Sequence, residues 1–261
     1  METISGNTAN GVPFVARKAA TSGAPLISAW HLMDPPNTPA AMAAALPLAG
    51  LDANVVYFAL PMFGERSTFK DFEDMLRSGV DLVTGYFGPL FDQALDEYPE
   101  AIGEIRERLG VSKLAKVGFF GGSAGSAVAA GATMRFGSSA CVLVSPMLQL
   151  RPMIDATNEF MPSPYVWDAE SDAIAANMDF IARASEFAPA KVLLIDGTAD
   201  EPAFLEPARE FDKLGLGEVV FVEGVEHPLA EFPGNEPAPQ IEAAITYDRL
   251  ATAFFKKSFD S

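Results

Sequence analysis

Gly121-Gly122-Ser123-Ala124-Gly125 lies where an apolar run ends and an Ala-rich run begins. This is a G-x-S-x-G spacing in strand–turn–helix context. A sharp turn there leaves no room for bulky neighbours, and it presents the serine hydroxyl at a sheet edge in front of a helix N-terminus. The chemistry it suggests is nucleophilic attack. The competing nucleotide-binding turn fails on pattern: no G-x-G-x-x-G can be written through the stretch, and no Lys follows as in G-x-x-x-x-G-K-S/T. A plain packing turn is the remaining alternative from this segment alone.

A serine hydroxyl needs a base, and the base needs an orienting partner. The chain has two histidines, His31 and His227. His227 follows the apolar run 219–222, and Asp200 lies just past the apolar run 191–195. The order Ser123, Asp200, His227 leaves 77 positions for a helix, a strand and an insertion, then 27 for one helix and one strand. These three are the expected catalytic residues. Asp196 and Glu201 compete for the acid role, and Asp196, at the strand end, reads mainly as a structural hydrogen-bonding group.

Positioning these groups requires alternating strands and helices. Strands are expected at 12–17, 25–30, 54–60, 116–121, 141–145, 191–196 and 218–223, and helices at 39–49, over most of 80–109, and at 123–136, 202–214 and 239–257. Gly85, Gly88 and Pro89 predict a break within 80–109. The pattern is that of an α/β fold: a mostly parallel central sheet with helices on both faces. Residues 1–261 read as a single domain. About forty residues between two strands, rich in Met, Phe and Pro and ending in a helical run at 177–185, form a short cap insertion around 147–186. Met147, Phe160 and Trp167 in it are candidate substrate-binding residues, with packing as the alternative.

The chain is similar to α/β-hydrolases over nearly its whole length. Besides the serine turn, Gly197-Thr198-Ala199-Asp200 resembles the family's turn around the acid, and Gly224-Val225-Glu226-His227 its turn around the base. The long helical segment before the nucleophile strand looks most like the branch of prolyl-oligopeptidase-type and dienelactone-hydrolase-type domains. The latter commonly use a cysteine nucleophile, whereas position 123 is serine. The resemblance implies an oxyanion hole made by the backbone of Ala124 and Met33. Leu32 stands where the family usually has glycine, so Leu32 is the alternative donor. His31 occupies the place of the family's H-G loop on the substrate side, and reads as a hydrogen-bonded anchor rather than a proton carrier. Asp34 reads as a cap or loop brace, with substrate contact as the alternative.

Composition narrows the rest. Of 261 residues, 49% are hydrophobic and 20% charged, so a large core is available. A net charge of −17 disfavours nucleic acid and anionic membrane surfaces. No run approaches the roughly 18 apolar residues of a membrane span. The N-terminus lacks the basic start and apolar run of a secretory signal, which makes cytoplasmic the expected location. The single Cys141 reads as a buried structural thiol. Neither H-E-x-x-H nor a Cys/His zinc spacing occurs, and the expected chemistry needs no metal or cofactor. The expectation is a carboxylesterase-type serine hydrolase acting on a small-molecule ester, compatible with a homodimer. Acyltransferase, thioesterase or amidase chemistry, or ligand binding with little turnover, are the alternatives.

Overall fold

A computed structural model describes residues 2–70, 72–161 and 163–260. Eight strands form one sheet: β1 (Thr3–Asn7), β2 (Pro13–Arg17), β3 (Leu26–Trp30), β4 (Asn54–Phe58), β5 (Val117–Ser123), β6 (Ala140–Pro146), β7 (Lys191–Gly197) and β8 (Glu218–Val222). Their order is β1-β2-β4-β3-β5-β6-β7-β8. β1, β2 and β4 pair antiparallel, and every pair from β4 through β8 is parallel. The α-helices are α1 (Pro39–Ala45), α2 (Phe72–Ser78), α3 (Gly88–Leu109), α4 (Ala124–Phe136), α5 (Leu150–Thr157), α6 (Ala169–Asn177), α7 (Pro202–Leu214) and α8 (Glu242–Phe259).

Side chains alternate across each central strand, so near-continuous apolar runs feed two cores. Ile27, Ala29, Val55, Tyr57, Val142, Val144, Leu193 and Ile195 face a core completed by Met42 of α1 and Phe255 of α8. Leu26, Trp30, Val56, Phe58, Cys141, Leu143, Val192 and Leu194 face the other, which takes in Phe91 of α3, the alanines of α4 and Phe211 of α7. Cys141 is fully buried, and burial raises its thiol pKa to about 12.

Several expected boundaries shift. The strand β1 is an additional element; its TISGN sequence lies on an exposed edge and shows no apolar alternation. The helix expected at 39–49 stops at Ala45, where Leu46 leaves helical geometry. The Gly/Pro break expected within 80–109 takes the form of a π-helical turn, Val83–Phe87, that runs directly into α3. The helical run expected at 177–185 is replaced by α6, which ends at Asn177 where that run would begin, and a 3-10 turn at Ala184–Phe187. Asp168 caps α6 through the backbone N–H groups of Glu170 and Ser171.

Candidate active site

The turn from β5 into α4 holds Ser123 at φ 48° and ψ −122°, a left-handed backbone conformation that costs a non-glycine residue free energy. Its glycines follow from close approach. A Cβ on Gly121 would lie 2.1 Å from the Gly125 carbonyl oxygen, and one on Gly125 would lie 2.3 Å from that of Trp30 and 2.4 Å from that of His31. Ser126 Oγ donates to the Ser123 carbonyl at 2.5 Å and accepts the Met147 N–H at 2.9 Å, which braces the turn against the chain leaving β6.

His227, Asp200 and Ser123 are each nearly buried and form one hydrogen-bonded line. His227 Nε2 lies 2.9 Å from Ser123 Oγ, and its Nδ1 lies 2.9 Å from both carboxylate oxygens of Asp200. Asp200 Oδ1 also accepts the Glu201 N–H at 2.6 Å. Loops after β7 and β8 bring Asp200 and His227 together. Ala199 N–H donates to the Val225 carbonyl and Gly224 N–H to Thr198 Oγ1. A Cβ on Gly197 would meet the Val225 oxygen at 2.0 Å, so this approach requires glycine.

The chain leaving β3 closes the site from the other side. Leu229 N–H donates to the Pro35 carbonyl and Asn37 N–H to that of Gly234, which ties the loop carrying Met33 to the loop carrying His227. Leu32 is fully buried and packs on Gly122. His31 is also buried: its Nδ1 donates to the Leu32 carbonyl at 2.6 Å, and its Nε2 accepts the Leu60 N–H at 3.2 Å. Burial lowers its pKa to about 4. Both ring nitrogens are thus committed to the backbone, an anchoring arrangement.

A cavity of about 270 Å³ opens at Ser123, walled by Met33, Ala124, Phe63, Phe87, Met147, Met153 and Phe204, with Asp34 at its edge. It shares Asp34, Met153 and Phe204 with a groove of about 850 Å³ lined by Phe160, His227 and Phe232. Glu159, Glu201 and Glu226 also line that groove, and its described lining contains no Lys or Arg. Met147 therefore lies beside the serine and Phe160 in the outer groove. Trp167 does not join them: its ring stacks on Arg151 and its Nε1 donates to Asp155. Sequence reasoning passed over Phe204, Phe63 and Phe87, because nothing separates them from core phenylalanines in a linear pattern.

Parallel strands ending in a strained serine turn, with acid and base on the loops after the next strands, define the α/β-hydrolase fold. No family model matches the chain, and no curated protein matches its sequence. Solved structures do match. TT1662 from Thermus thermophilus superposes with a TM-score of 0.65 at 18% identity, with all of both chains covered. A predicted CIB-like hydrolase from Thermoplasma acidophilum gives 0.56 at 18% identity over 98% of this chain and 99% of that one. Puromycin hydrolase gives 0.65 at 14% identity over 99% of this chain and 39% of its own. At such identities these likenesses establish the shared fold.

Proposed function

We propose that the chain is a serine hydrolase of small carboxylic esters. The observation that carries this reading is the 2.9 Å contact of Ser123 Oγ with a His227 whose other nitrogen is held by Asp200. His227 takes the serine proton as Oγ attacks the acyl carbonyl, and Asp200 fixes the tautomer and stabilises the imidazolium. The backbone N–H of Ala124, first in its helix and free of an intrahelical partner, and that of Met33 would hold the oxyanion. His227 returns the proton to the leaving alcohol, and water then releases the acyl group by the same steps.

The apolar cavity at Ser123 suits a short acyl chain, with residues 147–186 as a small cap. Hydrolysis of p-nitrophenyl acetate, butyrate and octanoate by the wild type and by Ser123→Ala tests the reading. Turnover is expected to favour the short esters and to vanish in the variant. Equal turnover in both would reject Ser123 as nucleophile.

One observation favours a second reading, hydrolysis of amine-bearing amides. Asp34, Glu159, Glu201 and Glu226 line the outer groove, where a cationic leaving group would be welcome and an anionic one repelled. Puromycin hydrolase and an acylaminoacyl peptidase from Pyrococcus horikoshii share the fold. Parallel assays on aminoacyl p-nitroanilides separate the two readings.

A further inference from the structure

Beneath the triad lies a second carboxyl group that the acyl-transfer steps do not use. Asp196, the penultimate residue of β7, is fully buried. One of its oxygens accepts the Gly197 N–H at 2.9 Å, and the other, Oδ2, has no donor. The Asp200 carboxylate, four residues on, is near enough to act on its ionisation. Asp200 is already committed to His227 Nδ1 and the Glu201 N–H. Two ionised carboxylates are both acceptors only, so side by side in a buried site they can neither bond nor tolerate each other's charge.

The surrounding groups leave the charge on one of the pair. Ser145, held at φ 41° at the end of β6, and Tyr247 from α8 lie together beside this region, both fully buried. Neither carries charge; burial raises the Tyr247 phenol well above its ordinary range. Among the described residues, the cation that acts on Asp196 is Arg209 on α7, and its guanidinium is paired with Glu206 at 2.7 Å. Burial and the neighbouring Asp200 carboxylate push Asp196 upward, to about 8.

We propose that Asp196 is a neutral carboxylic acid that donates its proton in a hydrogen bond to Asp200, a positioning residue that extends the Ser123–His227–Asp200 line by one member. The proposal rests on the triad reading for its effect on rate. The bond spreads the Asp200 charge and fixes the plane of its carboxylate toward His227. A single negative charge then stands behind the base, shared between two carboxyl groups with one proton between them.

The test uses the full chain as wild type, Asp196→Asn and Asp196→Leu. The infrared difference spectrum of wild type minus Asp196→Asn at pH 7 is expected to contain a carboxylic-acid C=O band. A carboxylate band alone would overturn the proposal, whether or not the protein hydrolyses anything. With p-nitrophenyl acetate, Asp196→Leu, which removes the donor, is expected to lose about tenfold in kcat with KM unchanged, as for other groups that orient a functional side chain by hydrogen bonding. Asp196→Asn, which keeps a donor, should recover most of that loss and lack any alkaline inflection due to Asp196. Equal kcat in the leucine variant and the wild type would overturn the positioning role. If the leucine variant does not fold, the spectrum and the pH profile of the asparagine variant still decide. A wild type whose Ser123 resists a fluorophosphonate probe would defeat the triad reading while leaving the infrared result intact.

Discussion

Phe204 lays its ring over the imidazole of His227, with centroids 4.1 Å apart and planes inclined by 33°. The first turn of α7 thus supplies a wall that both limits rotation of His227 and offers a π-face to it when it becomes cationic. Phe204→Leu keeps the apolar wall but removes that face. The expected loss in kcat on p-nitrophenyl acetate is roughly fivefold, corresponding to about 1 kcal/mol of imidazolium stabilisation. An unchanged kcat would reduce the ring to packing.

Gly125 is the position where α4 passes closest to the chain leaving β3. The atoms that a Cβ would strike, at 2.3 and 2.4 Å, are backbone carbonyl oxygens that no side-chain rotation can move. Gly125→Ala should therefore destabilise the fold by about 3 kcal/mol, lowering Tm by roughly 5–10 °C. Gly103 on α3 has open space around it, and Gly103→Ala should raise stability by about 0.5–1 kcal/mol. Thermal unfolding of both variants provides the check. Equal shifts would contradict the close-packed turn.

Asp34 stands between the inner cavity and the outer groove, with Oδ2 3.8 Å from His227 Nε2 and a half-exposed side chain. Solvent screening limits its pull on a cationic leaving group to about 1 kcal/mol. A choline ester should be cleaved severalfold faster than the isosteric 3,3-dimethylbutyl ester. Asp34→Asn should erase most of that ratio and leave the neutral ester less affected. If the ratio survives the substitution, the selectivity lies in Glu159, Glu201 or Glu226.

How much of this could be read from residue order depends on what each part is made of. The strands from β3 through β7 are buried on both faces, so their sequences are continuous apolar runs and stand out. The meeting of Ser123, Asp200 and His227 was legible because a parallel sheet places successive strand ends on one edge, and each residue follows such an end. The strand β1 was not legible, because an exposed edge needs no apolar side chains. Nor was the stitching of the loop at 31–38 to that at 228–235, since its bonds end on backbone carbonyls that every residue possesses and only the Asn37 and Thr38 side chains add donors to it. Phe204 and Asp34 gain their places from the turn geometry after β7 and β3, which composition does not encode. Asp196 looked structural in isolation; only its burial against Asp200 makes it a candidate for more.

His31 couples acid stability to the loop that leaves β3 beside Ser123. In its neutral form Nδ1 donates to Leu32 and Nε2 accepts from Leu60, so both backbone groups are satisfied. Protonation would turn Nε2 into a donor facing another donor, in a buried place that already disfavours charge. Its pKa is lowered from 6.5 to about 4 in the folded protein. The unfolded chain therefore binds the proton first as pH falls, and the folded state loses stability through the window from 6.5 to 4, with the contribution fully present above it. The full effect is about 3 kcal/mol. Urea unfolding at a series of pH values should show this acid limb in the wild type and a flatter one in His31→Gln, whose amide can still bond to both backbone groups without titrating. An identical pH dependence in the two proteins would show that other groups govern acid unfolding.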